Sequence, residues 1–397
     1  MRILTTFVAV CLAGAFANAQ DLNGRTITLK AGSQATVEAP LTLPFDGAAP
    51  DTQVVVEQKG TGKTFPVTIR NNEFVFVPEG ASPGSELTYE VKVKDAKQPE
   101  RVQIVPGDEP DSLKVLIEDQ HFTSYFHANT NRKPYLWPVF SEGVTVTRDW
   151  PMGKEELSKD HKHHKSMWSS YGNVNGADCW AEGDNAGWQQ TNEVTHGSGD
   201  AYGWIHAKNT WQDVNHKNVL DEEREYRFYA SSPRGRLFDV SVTFTATYGD
   251  VLFKDTKEGG IFSLRIRDSI NEENGGVMTL SEGRTGEKIC WGKPSPWCDY
   301  SGMIPNDAVR GVTVMDTPGN LRYPTTWHVR AYGLLGANPF GLASFTNGQQ
   351  SGDHTIKNGE KLTFKYRIYV HKGNAEEAKV ADRYADYIDP PKVSWVK

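Results

Sequence analysis

Between residues 237 and 248 the chain alternates without a break. Phe238, Val240, Val242, Phe244, Ala246 and Tyr248 are apolar or aromatic, while Asp239, Ser241, Thr243, Thr245 and Thr247 are polar. A period of two puts the first set on one face of a β-strand and the second on the other. The run is about twice the usual strand length, which favours a large curved sheet. Residues 261–267 and 362–370 repeat the pattern, and 224–230 follow it less cleanly. Residues 113–118 and 144–148 read as further strands, whereas the proline-broken run Lys133-Pro134-Tyr135-Leu136-Trp137-Pro138 suits an irregular edge or loop. One convincing helix stands near the C-terminus. Asn374 caps it with Glu377 as capping-box partner, Ala378, Ala381, Tyr384, Ala385 and Ile388 form its apolar stripe, and Pro390-Pro391 stops it. The expected fold is all-β, a sandwich with loops gathered over one face.

Composition divides the chain. All 11 histidines and all 11 tryptophans follow Leu113. The stretch before it holds short β-branched and aromatic runs at 53–58, 65–70, 73–78 and 87–94, as expected of an immunoglobulin-like sandwich. Residues 105–110, with Pro106, Gly107 and Pro110, read as the linker. Arg2, the apolar run 3–16 and Ala17-Asn18-Ala19 read as a signal peptide, so residues 1–19 are leader, 20–108 the small module and 109–397 the main domain. The expected location is periplasmic or extracellular. Cleavage removes Cys11 and leaves Cys179, Cys290 and Cys298; Cys290 and Cys298 could close a small loop, or all three are isolated thiols. A formal charge of -7 gives no reason to expect nucleic acid or an anionic membrane as partner, and no apolar run suggests membrane insertion.

The chemistry concentrates in Asp160-His161-Lys162-His163-His164-Lys165-Ser166-Met167-Trp168. If this segment is extended, His161 and His163 share one face and His164 takes the other; as a loop, all three converge. One reading makes His163 or His164 a proton-transfer group oriented by Asp160. Another makes His161, His163 and a distant histidine such as His328 ligands of a divalent metal; otherwise no cofactor is expected. A third is a solvated, lysine-flanked turn. Asn173, Asn175 and Asp178 lie in a turn after the next strand, where they can bind sugar hydroxyls or satisfy their own backbone. Seven tryptophans fall between 137 and 211, more than a core requires, and flat rings beside amides and carboxylates suit carbohydrate. Glu258, before Gly259-Gly260, sits at a strand mouth; Trp297, Asp299 and Tyr300 occupy a Gly/Pro-rich loop; His328 follows Trp327. The candidate catalytic set is therefore His163, His164, Asp160, Glu258 and Asp299. The candidate binding set is Trp168, Asn173, Asn175, Asp178, Trp180, Trp297, Tyr300 and His328. No G-x-S-x-G elbow, phosphate loop, dinucleotide fingerprint or H-E-x-x-H occurs.

From about residue 133 to 370 the motifs resemble the secreted bacterial family labelled PmoA-like, or "methane oxygenase PmoA" domain proteins. The matching residues are 133–138, Thr147-Arg148-Asp149, Asp160-His161 with His163-His164, 175–180, Glu258-Gly259-Gly260, Trp297 with 299–302, 327–330 and Asn338-Pro339-Phe340-Gly341. Lys162, Lys165 and Cys179 depart from the family pattern without removing a candidate acid or base. The resemblance implies a β-supersandwich of the galactose-mutarotase type and sugar-directed work, and it assigns no reaction. Three functions remain open: an exported carbohydrate-active enzyme using His/carboxylate acid–base chemistry, a metal-dependent oxidative or hydrolytic enzyme, and a non-catalytic glycan-binding envelope protein.

Overall fold

The computed structural model describes residues 22–47, 49, 51–96, 98–149, 158–231 and 235–396. The expected signal peptide and Trp150 lie outside the described residues. The alternating run becomes the strand Gly235–Thr245, central in an eight-stranded antiparallel sheet between Asn218–Tyr229 and Lys361–Lys372. Phe238, Val240, Val242 and Phe244 are sealed, as the period of two requires. The strand stops before Tyr248, which is exposed.

A nine-stranded sheet packs against this one. Its inward residues Leu136, Met167, Phe262, Leu264 and Leu335 share a single core with Phe238, Val312 and Ile368 of the first sheet. Each such side chain contributes about 1.5–3 kcal/mol on burial. The protein is thus an all-β sandwich. Its longest described helix is Val380–Ile388. The expected capping box forms, with the Glu376 and Glu377 amides donating to Asn374 Oδ1 and the Asn374 amide to Glu377 Oε2. It organises the turn just before the helix, which begins after Lys379 in a left-handed conformation.

Three expectations need correction. The proline-containing segment is no loop: Tyr135–Ser141 is an internal strand between Gln120–Phe126 and Met167–Tyr171. Its register shifts between Leu136 and Val139, a bulge that accommodates the missing amide of Pro138. Of residues 144–148 only Val144–Thr145 forms a strand. Residues 105–110 do not link domains: Val102–Pro106 pairs with Ser112–Ile117 within the nine-stranded sheet, so the segment is a hairpin.

Seven strands form the N-terminal sheet, and one of them is Lys392–Trp395 from the far end of the chain. Trp395 packs edge-on to Phe74 at 5.0 Å and donates to the Pro44 carbonyl at 2.9 Å. Arg70–Glu225 (3.2 Å) and Arg227–Glu73 (2.7 Å) dock this sheet on the larger sandwich. Cys179, Cys290 and Cys298 are buried free thiols, and burial pushes Cys179 up to about 12 and Cys290 to about 11. No described helix is long and apolar enough to cross a membrane.

Candidate functional site

The floor of the site is a row of residues across four adjacent strands. Trp168 in Met167–Tyr171 lies opposite Ser263 in Gly259–Arg265, Ser263 opposite Gly336 in Leu334–Ala337, and Gly336 opposite His328 in Trp327–Val329. Directly opposed residues of antiparallel strands project to one side. Here that side is the outer face, because the neighbours Met167, Leu264, Leu335 and Val329 all enter the core. Arg265, two residues beyond Ser263, rises from the same face.

The histidine segment is wrapped around a buried guanidinium. Arg148 is sealed and donates to the carbonyls of Asp160 (3.0 Å), His161 (2.8 Å) and His164 (2.9 Å) as well as to Asp160 Oδ1 (3.1 Å). Three carbonyls converging on one side chain cannot belong to a straight strand. His161 accordingly adopts a left-handed backbone at φ 42°. Arg265 donates to the same Asp160 oxygen at 3.1 Å, approaches His164 Nδ1 at 3.4 Å and lies 4.4 Å over the Tyr332 ring. Burial pushes the Asp160 carboxyl up, but Arg265, His161 and Arg148 together hold it below the usual carboxylate range. Its second oxygen meets Nδ1 of His161.

The three histidines fall into different environments. His164 is sealed, stacked on Trp168 at 5.5 Å and edge-on to Trp180 at 5.3 Å. Burial, then the nearby His163 and Arg265, lowers it well below the ordinary imidazole value. His163 is half-buried and is held down at about 3 by burial, then by Lys133 and other positive neighbours. His161 is exposed and stacks on Tyr332 at 4.8 Å. Behind them Glu182 bridges Lys133 (3.2 Å) and Lys165 (3.0 Å), and Lys133 donates to the Trp180 carbonyl at 2.6 Å.

His161 and Tyr332 open onto a pocket of about 290 Å³ shared with His328 and two ion pairs, Lys257–Glu258 and Arg330–Glu287 (2.9 Å). Glu287 is fully engaged, since its second oxygen accepts the Ala331 amide at 2.7 Å. His328 is 2% exposed, and the Gly259 backbone is the hydrogen-bonding neighbour of its ring. Burial, then Arg330 and Lys257, takes it down to about 3 against a weak opposing pull from the Gly259 backbone, so the ring is neutral at physiological pH.

The chain belongs to the DUF6807 family. The model of this family of unknown function matches residues 112–385, the sandwich that carries the pocket except for its edge strand Val102–Pro106. This match overturns the resemblance to PmoA-like proteins, to which nothing in the comparisons points. No curated protein matches the sequence.

The geometry of the site redistributes the expected residues. Asp160, Glu258 and His328 join His161 at or beside the pocket, while His163 and His164 lie behind it. Asp299 is elsewhere: it is sealed in the eight-stranded sheet and bound to His371, Thr313 and Ser301. Tyr300 is a core residue whose hydroxyl is clamped by the Glu272 amide and the Ala331 carbonyl. Trp297 packs with Met315 and Val380 in a separate cluster, so it offers no stacking face to the pocket. Trp168 and Trp180 are also buried, and they form floor and wall rather than an open platform. Asn173 Oδ1 accepts the Gly176 amide, Asn175 ties the turn to Asp250 and Leu252, and Asp178 Oδ1 accepts the amides of Trp180 and Ala181. These three polar side chains do backbone work. The proposed metal set of His161, His163 and His328 is not assembled: among the described residues no group of three or more His, Cys, Asp or Glu side chains is placed to hold an ion. Tyr332, Lys257 and Glu287 were missed, because single residues in turns or at the start of a four-residue helix carry no periodic signal.

Proposed function

We propose that the protein is an exported carbohydrate-active enzyme, with His161 and Glu258 as its proton-transfer pair. The observation that carries this reading is the convergence of His161, Glu258 and His328 on one polar pocket from segments far apart in the chain. Asp160 holds Nδ1 of His161 and fixes the ring, which leaves Nε2 for proton transfer. Glu258 is the better carboxylate because Glu287 has both oxygens engaged. Many donors and acceptors suit a polyhydroxylated substrate. The leader-like N-terminus supports export. The buried Trp168 and Trp180 argue against a flat glycan-binding platform. The test is product formation from a panel of oligosaccharides and free aldoses, followed by proton NMR with and without chelator. Glu258→Gln and His161→Asn should each lower turnover roughly 10²-fold or more while chelator has no effect. Turnover that survives both substitutions overturns the assignment, and turnover abolished by chelator transfers it to a metal enzyme.

A further inference from the structure

Arg330 opens the tight turn that carries Tyr332 to the pocket wall. Its amide donates to the Leu334 carbonyl and its carbonyl accepts the Gly333 amide, both at 2.9 Å, so the backbone under the side chain is fixed. One arm of the guanidinium, Nη1, donates to Glu287 at 2.9 Å, and Glu287 is held in turn by the Ala331 amide at 2.7 Å. The Trp291 ring backs the guanidinium at 5.4 Å. Among the described residues, Nη2 and Nε of Arg330 have no acceptor, and the side chain is 25% exposed where it lines the pocket. A guanidinium fixed in place with part of its fork open is suited to receive a planar carboxylate.

The charges around the pocket do not cancel. At its wall Lys257 pairs with Glu258 and Arg330 with Glu287, one to one. Behind the wall the pairing is two to one. Arg148 and Arg265 both donate to Oδ1 of Asp160 at 3.1 Å, and Lys133 and Lys165 both reach Glu182, at 3.2 and 3.0 Å. Asp268 meets Arg265 only through the Ser158 hydroxyl, 2.9 Å from Asp268 and 3.4 Å from Arg265, and counting it still leaves these groups net positive. The buried imidazoles carry the mark of this surplus. Burial comes first in lowering His163, His164 and His328, and the charged side chains that add to it are the arginines and lysines just named, with neighbouring histidines. Charge set behind low-dielectric walls projects into the cleft they enclose and favours an anion there.

We propose that the pocket selects a sugar that carries a carboxylate, a uronic acid, and that the open fork of Arg330 receives this carboxylate with Lys257 beside it. This rests on the sugar reading above and names the substrate class within it. A neutral sugar would leave both the fork and the surplus charge unanswered. A doubly charged phosphate would meet Glu258 and Glu287 on the same wall, so a single planar charge is the better match. His161 and Glu258 stay available for proton transfer.

Titration calorimetry of the full chain with glucuronate and galacturonate, each beside its methyl ester and its parent aldose, tests the proposal. At least one uronate should bind about tenfold or more tightly than both neutral counterparts, as a charge-assisted hydrogen bond predicts. Raising the salt to about 0.5 M should shrink that advantage. Arg330→Gln should erase it and leave the affinity for the neutral sugars unchanged. Arg330→Lys keeps the charge without the fork and should retain only part of it. Lys257→Gln, at a side chain 41% exposed, leaves the turn intact and should reduce it. The unfolding midpoint of each variant confirms that it is folded. An ester or aldose that binds as tightly as its uronate, or a preference untouched by both Arg330→Gln and Lys257→Gln, overturns the uronate assignment and leaves the sugar reading standing. Failure of every sugar to bind ends both.

Discussion

His161 with Asp160 and His371 with Asp299 are built from the same two side chains, yet only the first pair borders a pocket. His371 Nε2 sits 2.8 Å from Asp299 Oδ2, its Nδ1 faces the Gly373 carbonyl at 3.1 Å, and both residues are sealed. Thr313 and Ser301 take up the remaining capacity of the carboxylate. Nothing is left to meet a substrate. The Asp160 carboxylate is just as heavily bonded, by Arg148, Arg265 and His161, but its histidine stands in the open with one nitrogen to spare. On the function proposed above, spare valence and access, not residue type, set the pair at the pocket apart from the sealed one.

The comparison can be broken most directly by removing one member of each pair. His161→Asn tolerates the left-handed backbone at this position and should cut turnover roughly 10²-fold or more, with the unfolding midpoint nearly unchanged. Asp299→Ala should do the reverse. Removing one partner of a buried, hydrogen-bonded pair costs about 3–5 kcal/mol, read from urea unfolding, while turnover per folded molecule holds. A stable Asp299→Ala protein that has lost turnover would give the sealed pair a part in the reaction.

Much of this contrast was hidden in the sequence for physical reasons. The all-β class was legible because a period of two is a local property, as residues 237–248 show. The segment that borders the candidate pocket was legible because three histidines crowd it. Which histidine faces the pocket was not, because Arg148 gathers three carbonyls of that segment and bends it away from the simple alternation. Glu258 and His328 could be marked by residue type at a strand mouth and beside a tryptophan. Asp299 carried the same marks and proved to be interior, since burial depends on which elements cover a strand. The closing strand Lys392–Trp395 was missed because four residues after Pro390-Pro391 give no period to read, and only its pairing with Thr26–Lys30 defines it.

The buried imidazoles around the pocket sharpen the comparison through pH. His328 is held at about 3 when folded and returns to an ordinary value near 6.5 when unfolded. Between those values the unfolded chain binds more protons, so stability is fully present above about pH 6.5 and is lost as pH falls towards 3. The limiting slope is about 1.4 kcal/mol per pH unit for each such histidine. His163 and His164 are shifted in the same direction, with the half-buried His163 contributing less. Urea unfolding at pH 7, 6 and 5 should show the loss, and His328→Phe should flatten it by up to one histidine's share. An unchanged slope would mean that water reaches the His328 ring in solution.

The smallest expected effect concerns the turn after the strand Met167–Tyr171, where two asparagines looked equally suited to holding a sugar. Asn175 adopts φ 50°, donates to the Asp250 carbonyl at 2.9 Å and accepts the Leu252 amide at 2.7 Å. Asn175→Ala loses both bonds and keeps a β-carbon in a left-handed conformation without the polar side chain that favours Asn there, so it should cost about 1–2 kcal/mol. Asn175→Gly loses the same bonds without that strain, and the difference between the two variants isolates the backbone term at about 1 kcal/mol. Both should bind ligand like the parent, because the turn's side chains are spent on Asp250, Leu252 and Gly176 rather than on the pocket. An affinity lost in both variants, with the fold intact, would extend the binding surface from the His328 pocket across the sheet to this turn.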